Sequence, residues 1–284
     1  MAQDPPPDWP DRQWSTWHEI GGIRWHVQRQ GAGPLLLLVH GTGGGTHSWA
    51  GVTAALAAHY DVVALDLPGH AFTTVSEGVE RRTDPFSLPG MAHALAALLD
   101  ALQLRPTLVA GHSAGVPVLL RLLLDNAIAP QRIVGFCPAL VAPPRWYVTL
   151  AAPLVAQLVE RSLVAAAGAQ LAARTALVHQ MLRSTGSRLT DAQLARYRLL
   201  CTFPSHVHAA LTMMARWDLP ALYRDIHRLT TPIQLVAGRA DRWIPLASLT
   251  SAVARIPGAQ LTVEAAGHLL PEEEPALVLR HLLP

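Results

Sequence analysis

The most informative segment for the fold lies at residues 108–124 and reads LVAGHSAGVPVLLRLLL. It opens with a short, continuous apolar run, which is typical of a strand buried on both faces of a parallel sheet. A Gly-x-Ser-x-Gly pattern follows, and the next apolar residues predict a helix over 115–124. The two glycines leave room for the strand and the helix to pass each other closely. Ser113 is therefore predicted to lie at a sharp strand-to-helix turn, as a nucleophile with its hydroxyl at the helix N-terminus.

Similar apolar runs recur on both sides of this stretch. They predict buried strands at 35–39, 62–65, 107–110, 132–136, 233–237 and 260–263. Helix-like segments alternate with them at 49–59, 88–102, 115–124, 246–255 and 275–283. This alternation predicts an α/β fold with a mostly parallel central sheet flanked by helices. Two earlier strand-like runs, at 15–20 and 23–29, flank Gly21-Gly22 and predict a hairpin.

One interval breaks the alternation. Between Phe136 and Ile233 the sequence shows no convincing strand pattern, and it is rich in Ala and Leu with scattered Arg and Pro. We predict a helical insertion over residues 143–229, and a core formed by residues 1–142 and 230–284. Because α/β folds place their sites at the carboxyl edge of the sheet, the insertion is expected to cover that edge as a lid, or cap.

A serine hydroxyl needs a base to take its proton, and the base is usually a histidine oriented by a carboxylate. In folds with this strand-turn-helix serine, the acid and then the histidine follow the nucleophile in the chain. Asp241 comes three residues after Gly238 at the end of a predicted strand, and His268 follows the next predicted strand. We therefore predict Ser113, Asp241 and His268 as the catalytic residues. Asp218 is a competing acid, but it falls inside the predicted insertion.

A second glycine-rich segment, at residues 39–45, reads VHGTGGG and follows the first buried strand. A tetrahedral intermediate of acyl transfer needs two N–H donors aimed at its oxyanion. One is expected from Ala114, the residue after the serine, and the other from Thr42. A phosphate-binding loop is not predicted, because the segment fits neither a P-loop nor a clean Gly-x-Gly-x-x-Gly pattern. At the ends of two early strands, His40 is expected to be a structural hydrogen-bonding residue rather than a catalyst, and Asp66 is expected to organise a loop.

Composition excludes several other classes of protein. The 22 basic and 20 acidic residues give a formal net charge of +2, which argues against a nucleic acid partner. Every basic residue apart from histidine is an arginine, so lysine-dependent phosphate binding and Schiff-base chemistry are excluded. Cys137 and Cys201 are too few for a disulfide framework. His206 and His208 have no accompanying Cys, Asp or Glu cluster, so we predict neither a metal site nor a cofactor.

The sequence contains no recognisable targeting or membrane signal. Residues 1–11 lack the basic and apolar regions of a signal peptide. The most apolar long stretch, at 146–178, is interrupted by Glu160, Arg161 and Arg174, which leaves no uncharged run of about 18 residues. We therefore predict a cytoplasmic protein without a transmembrane segment.

Several motifs carry a closer resemblance. They are DWP at 8–10, GIRWHVQ at 22–28, HGTG at 40–43, THSW at 46–49, SLPGM at 87–91, GHSAG at 111–115, STGSRL at 184–189 and MMARWDL at 213–219. Across almost its whole length the chain resembles the α/β-hydrolase superfamily, and within it the magnesium-chelatase accessory proteins of bacteriochlorophyll biosynthesis, the BchO type. The resemblance implies the α/β-hydrolase fold with a helical lid, a cytoplasmic protein of photosynthetic bacteria, an association with magnesium insertion into porphyrin, and a general esterase activity.

Two hypotheses for function follow. In the first, the chain is a serine hydrolase of the carboxylesterase type, which forms an acyl-enzyme on Ser113 from small esters with a hydrophobic group. In the second, it is an accessory protein that binds magnesium chelatase or a porphyrin intermediate, with little hydrolytic turnover. A serine at this position argues against the dehalogenases and epoxide hydrolases of the fold, which need an aspartate nucleophile. Perhydrolase and carbon–carbon hydrolase chemistry remain open.

Overall fold

A mostly parallel sheet forms the centre of the fold. The structure, a computed structural model, describes residues 3–76, 83–141 and 176–284. Its strands are β1 (Ser15–Ile20), β2 (Ile23–Gly31), β3 (Leu35–Val39), β4 (Asp61–Leu65), β5 (Thr74–Val75), β6 (Leu108–His112), β7 (Arg132–Phe136), β8 (Ile233–Gly238) and β9 (Gln260–Glu264). Their order across the sheet is β1-β2-β4-β3-β6-β7-β8-β9, and β5 pairs with β2.

The sheet has a parallel part and an antiparallel edge. From β4 to β9 along this order, neighbouring strands pair in parallel, which places their carboxyl ends at one edge. β1 and β4 pair antiparallel with β2. Gly21 and Gly22 join β1 to β2 with φ angles of 59° and 72°, in the left-handed region that a tight hairpin turn requires. The predicted hairpin and the predicted α/β class are thus confirmed.

Helices cover both faces of the sheet. They are α1 (Thr53–Leu56), α2 (Leu88–Ala101), α3 (Gly115–Leu124), α4 (Leu177–Ser184), α5 (Asp191–Leu200), α6 (Pro204–Ala215), α7 (Leu219–Asp225), α8 (Leu246–Val253), α9 (Leu270–Glu273) and α10 (Pro275–Leu282). The helices α2, α3, α8 and α10 agree with their predicted bounds to within two residues. In the described ranges, no helix combines the length and apolar character needed to cross a bilayer.

The predicted helix over residues 49–59 is wrong. The chain instead forms a 3₁₀ helix at Thr46–Trp49, followed by the short helix α1. Gly51 separates the two, since glycine is a poor helix former and a Cβ at this position would lie 2.7 Å from Pro275 Cγ in α10. The tight turn brings the Trp49 indole into the core, where it is fully buried.

Burial on both faces explains the continuous apolar runs of the central strands. In β3, Leu37 belongs to the larger core cluster, which includes residues of α2 and α3. Its neighbours Leu36 and Leu38 point to the opposite face, where a second cluster contains Trp49 and residues of α10. All three leucines are fully buried, and burial of each side chain contributes roughly 2 kcal/mol. The sheet is therefore packed from both sides and holds the loops at its carboxyl edge.

The described part of the insertion is helical. Between β7 and β8 the described residues form α4, α5, α6 and α7, and no strand. α5 begins with a capping box formed by Thr190 and Gln193, whose side chains each accept a hydrogen bond from the other's backbone N–H. α7 lies against α3 of the core, where Arg121 forms an ion pair with Asp225. Residues 142–175 lie outside the described part, so the bounds of 143 and 229 stay a prediction.

Candidate active site

The turn at Ser113 has the geometry that the sequence predicts. β6 ends at His112 and α3 begins at Gly115. Ser113 has a φ of 50°, in the left-handed region, where a residue with a side chain is destabilised by roughly 1–2 kcal/mol. The residue lines a cavity above the sheet edge. The fold thus holds Ser113 in a strained conformation at the wall of this cavity.

The glycines around Ser113 are required by close backbone contacts. A Cβ at Gly111 would lie 2.9 Å from Val116 N in α3. A Cβ at Gly115 would lie 2.4 Å from the carbonyl oxygen of Val39, on the neighbouring strand β3. Gly111 therefore spaces the strand from its own helix, as predicted, whereas Gly115 spaces the helix from the next strand.

His268 and Asp241 lie in the loops that follow β9 and β8. His268 Nε2 is 3.0 Å from Ser113 Oγ, and His268 Nδ1 is 2.8 Å from Asp241 Oδ2. The His268 side chain is 3% exposed and the Asp241 side chain 2%. When the Nδ1–H donates to the carboxylate, Nε2 is left as the acceptor for the serine proton. The structure therefore brings the three predicted residues together in one hydrogen-bonded chain.

The turn after β8 orients the Asp241 carboxylate. Oδ1 accepts hydrogen bonds from the backbone N–H groups of Trp243 and Ile244, at 2.8 and 2.9 Å. This local turn leaves Oδ2 for His268. The Trp243 ring centroid lies 5.4 Å from that of His268, and its indole N–H donates to Ser184 Oγ at 3.0 Å. The loop therefore supplies both the carboxylate of Asp241 and an aromatic side chain beside the imidazole.

Thr42 and Ala114 lie at the same cavity as Ser113. Among the described residues, neither backbone N–H donates a hydrogen bond to another group. Gly41 brings the Thr42 segment close to the nucleophile, since a Cβ at Gly41 would lie 2.8 Å from Ser113 Cβ. Two N–H donors without protein acceptors thus lie near the serine, where a ligand oxygen can accept from them.

Two buried histidines support the loops around Ser113 in their neutral form. His40 Nδ1 donates to the Gly41 carbonyl oxygen at 2.7 Å, and His40 Nε2 accepts from Leu67 N at 2.8 Å. His112 Nε2 donates to the carbonyl oxygen of His268 at 2.8 Å. Burial lowers the pKa of both side chains to about 3. His40 forms structural hydrogen bonds, as predicted, whereas the bond from His112 was not predicted.

The STGSR segment of the insertion contacts the loops that carry Asp241 and His268. The carbonyl oxygen of Thr185 accepts hydrogen bonds from the backbone N–H groups of Arg242 at 3.2 Å and His268 at 3.3 Å. The Ser187 hydroxyl accepts from Leu269 N at 2.8 Å. Thr185 and Ser187 are both buried. One short segment of the insertion thus connects the loop of Asp241 with the loop of His268.

Two glycines permit this close contact. Gly186 has a φ of 85°, and a Cβ there would lie 1.9 Å from the carbonyl oxygen of Ala240. Gly267 directly precedes His268, and a Cβ there would lie 2.4 Å from Ser187 Oγ. Any side chain at either position would push the cap segment away from the catalytic loops. From the sequence, this segment was noted only as a motif of the resemblance, and its place at the site was not predicted.

The cavity has a volume of about 580 Å³ and a mostly apolar wall. Its apolar lining includes Val141, Met181, Leu182, Met214, Trp217 and Trp243. Ser113 and His268 line it, and the side chains of α4 and α6 from the insertion also contribute to its wall. A cavity of this size and polarity suits a small ligand with an apolar body.

Two other carboxylates, Asp66 and Asp218, accept hydrogen bonds from backbone groups away from Ser113 and His268. Asp66 is fully buried and accepts hydrogen bonds from Thr46 N at 2.7 Å and Phe72 N at 3.1 Å. It organises loops, as predicted. Asp218 caps α7 by accepting from Ala221 N at 3.1 Å. Neither carboxylate lines the cavity.

A second Ser–His–Asp chain occurs in the antiparallel part of the sheet. His26 Nε2 is 2.9 Å from Ser15 Oγ, and His26 Nδ1 is 2.7 Å from Asp66 Oδ2. Gln28 Nε2 donates to Ser15 Oγ at 3.3 Å and to the Pro10 carbonyl oxygen at 2.8 Å. These bonds fasten the N-terminal segment to the sheet, so a hydrogen-bonded chain of this type does not by itself define a catalytic site.

One cluster of possible metal ligands is found in the described part of the chain, formed by Cys137, Asp241 and His268. Asp241 and His268 are hydrogen-bonded to each other. The Cys137 thiol donates to the Gly267 carbonyl oxygen at 3.4 Å, and burial together with the Asp241 carboxylate raises its pKa well above its usual value. Two of the three members thus belong to the hydrogen-bonded chain of Ser113, His268 and Asp241, and the third is a buried thiol beside the Asp241 carboxylate.

Buried neutral histidines make the fold sensitive to acid. Burial lowers the pKa of His40, His47 and His112 to about 3 and that of His70 to about 4. In the unfolded chain these histidines have a pKa of about 6.5. Below that pH the unfolded state therefore binds more protons than the folded state, and the free energy of unfolding decreases. Burial raises the pKa of Glu272 to about 7, so this carboxyl group has the opposite effect on stability above pH 4.5. It is one group against four histidines.

Between pH 7 and pH 5 we therefore expect the free energy of unfolding, measured by urea titration, to fall by roughly 3 kcal/mol or more. His47 offers a specific check, because its ring nitrogens have no hydrogen-bond partner among the described residues. His47→Gln should make the pH dependence less steep by about one proton. A stability that stays constant over this pH range would contradict the expectation.

The fold and the site together define the class of protein. The chain belongs to the alpha/beta hydrolase family, whose sequence profile matches residues 36–281. The match runs from β3 into α10 and includes Ser113, Asp241 and His268. The resemblance to this superfamily is thereby confirmed.

The chain is similar in sequence and in structure to individual proteins of this family. The chain is similar to the magnesium-chelatase 30 kDa subunit of Rhodobacter capsulatus, with 36% identity over 280 residues, 94% of this chain and 92% of that protein. It is also similar to pimeloyl-[acyl-carrier protein] methyl ester esterase of Xanthomonas campestris pv. campestris, with 31% identity over 252 residues, 86% and 91% of the two chains. Among solved structures, an alpha/beta hydrolase fold protein from Burkholderia ambifaria superimposes with a TM-score of 0.78 and 26% identity, over 95% of this chain and 97% of that one.

These relatives support the two functional hypotheses unequally. The relative with the higher identity and the longer alignment is named for magnesium chelatase. The other is an esterase.

Proposed function

We propose that this chain is an accessory protein of magnesium chelatase whose own chemistry is ester hydrolysis at Ser113. The observation that carries the hydrolase part is the hydrogen-bonded chain of Ser113, His268 and Asp241, whose serine and histidine line a mostly apolar cavity. The similarity to the magnesium-chelatase 30 kDa subunit supports the accessory part. The resemblance also suggests a cytoplasmic location, which cell fractionation would test.

In the proposed mechanism, His268 Nε2 takes the proton of Ser113 Oγ while the oxygen attacks the ester carbonyl carbon. The N–H groups of Thr42 and Ala114 hold the oxyanion, and each donor stabilises the transition state by roughly 3 kcal/mol. Asp241 keeps the imidazole in the required tautomer and stabilises the imidazolium. His268 then gives the proton to the leaving alcohol, and water hydrolyses the acyl-enzyme by the same route.

The wall of the cavity supports a hydrophobic ester as substrate. Residues from the cap and from the loop after β8 enclose about 580 Å³ with mainly apolar side chains. The apolar part of a bound substrate would be stabilised by burial against these side chains. We therefore propose an acyl or alcohol group of moderate size as the specific part of the substrate.

Hydrolysis of p-nitrophenyl esters from acetate to decanoate tests the hydrolase part. We expect turnover that rises with chain length until the acyl group fills the cavity, and that is lost in Ser113→Ala. Absence of turnover across the series, or equal turnover by the variant, would contradict it.

A second candidate function is that of an accessory protein with little turnover, which the similarity to the chelatase subunit favours. The two candidate functions can be distinguished by measuring the rate of magnesium insertion into protoporphyrin by purified chelatase. The rate is compared after addition of the wild-type protein and after addition of the Ser113→Ala variant. Stimulation by both proteins would show that hydrolysis is not needed, and stimulation by wild type alone would tie it to Ser113. Stimulation by neither would contradict a role beside chelatase. Quenching of tryptophan fluorescence by protoporphyrin would report porphyrin binding directly.

A further inference from the structure

The wall of the active-site cavity carries a single arginine and no carboxylate among its described residues. This arginine, Arg242, directly follows the acid Asp241 in the chain. The other residues of the described wall are apolar or uncharged, apart from the histidines His112 and His268. An otherwise apolar ligand site that contains one cation is selective for a ligand with one anionic group.

The guanidinium of Arg242 has no partner within the described ranges. No hydrogen bond, ion pair or ring contact of this side chain is present there. Some arginines of the fold are paired, for example Arg29 with Asp61 and Arg280 with Glu264, whereas Arg242 is exposed and its head faces solvent or a ligand. Its hydrogen-bonding capacity of five N–H donors in a planar fork is therefore free for a ligand.

The base of the same side chain is held in place. The backbone N–H of Arg242 donates to the Thr185 carbonyl oxygen at 3.2 Å. Its Cγ lies 3.4 Å from where a Cβ of Gly186 would be, so the stem runs beside the cap segment. A side chain with a fixed stem and a free head loses less conformational entropy when it binds a ligand.

We propose that Arg242 binds a carboxylate of the substrate, so that the preferred substrates are half-esters. Such a molecule places its ester carbonyl at Ser113, its apolar body along the wall and its free carboxylate on the guanidinium. Arginine and carboxylate form paired, charge-assisted hydrogen bonds, which neutral esters cannot replace. The proposal rests on the hydrolase function proposed above and names the substrate class for the same site.

Binding measured on the Ser113→Ala protein tests this assignment without turnover. Isothermal titration calorimetry measures the affinity for two esters with the same carbon chain. Methyl hydrogen suberate carries a charged carboxylate, and dimethyl suberate is neutral. When the Arg242→Gln substitution is combined with Ser113→Ala, we expect the affinity for the charged ester to fall by roughly tenfold or more relative to any change for the neutral ester. Arg242→Lys should restore part of the difference, and higher salt should reduce it.

Arg239→Gln provides the matched control. Arg239 lies in the same loop and is exposed, but it does not line the cavity, so its replacement should leave both affinities unchanged. Equal losses for the two esters, the same loss in Arg239→Gln, or no binding of the charged ester at millimolar concentration would overturn the assignment. Failure of the wild-type protein to hydrolyse any ester would instead contradict the hydrolase function, and the binding result would still decide the role of Arg242.

Discussion

Replacing Ser113 with alanine is expected to lower kcat/KM for ester hydrolysis by about 10⁴-fold or more, with the fold retained. His268 would have no hydroxyl to deprotonate, and only the oxyanion donors of Thr42 and Ala114 would remain to assist attack by water. Initial rates with p-nitrophenyl butyrate measure the effect, and thermal unfolding of the same sample serves as the control for folding.

Ser113→Gly separates catalysis from stability at the same position. Ser113 has a φ of 50°, which glycine adopts freely and alanine does not. We expect both variants to be inactive, and the glycine variant to be more stable than the alanine variant by about 0.5–1 kcal/mol. Urea titration measures the difference. A glycine variant that is less stable than the alanine variant would show that the fold stores no strain at the nucleophile.

Gly186→Ala is expected to lower the free energy of unfolding by roughly 3 kcal/mol or more. The backbone has a φ of 85°, and the new Cβ would lie 1.9 Å from the Ala240 carbonyl oxygen. Because neighbouring Thr185 holds the loops of Arg242 and His268, the displaced segment should also misplace the catalytic side chains and lower kcat by roughly 10- to 100-fold.

Gly258→Ala is the matched control for this substitution. Gly258 also has a positive φ, of 67°, but a Cβ there would meet nothing within 4 Å. Its replacement should therefore lower stability by only about 1 kcal/mol and leave kcat unchanged. If the two alanine variants lost the same stability and activity, the contact between the cap segment and the catalytic loops would have no special role.

The sheet was largely predictable from the sequence because each strand carries its own signal. β3 and β7 match their predicted bounds residue for residue, since strands buried on both faces carry continuous apolar runs, which Arg132 interrupts only at the start of β7. The Gly21-Gly22 turn is equally local. The helix expected over 49–59 failed because the burial of Trp49 and the contact of Gly51 with Pro275 depend on a distant helix.

The candidate site was predictable to the extent that its residues lie at strand ends. Ser113, Asp241 and His268 each follow a strand, and parallel strands bring their carboxyl ends to one edge. Their proximity could therefore be expected, and the structure has them within hydrogen-bonding distance. Their catalytic roles stay a prediction.

The supporting contacts of the site could not be predicted. The Thr185 carbonyl and the Ser187 hydroxyl reach His268 and Leu269 across about 80 residues of sequence. Only the packing of the cap on the sheet brings these groups together. Cys137 similarly has the local pattern of a small core residue, and its position beside the acid depends on how β7 lies next to β8.

Labelling with a fluorophosphonate, followed by peptide mapping, tests the central claim most directly, because such probes react with serine hydroxyls activated by a base. We expect one labelled peptide, containing Ser113, from the folded protein, and no label after heat denaturation or in Ser113→Ala. Ser15 has a similar hydrogen-bonded chain beneath the N-terminal segment and should remain unlabelled. A folded protein whose Ser113 is not labelled would contradict the proposed acyl-transfer site.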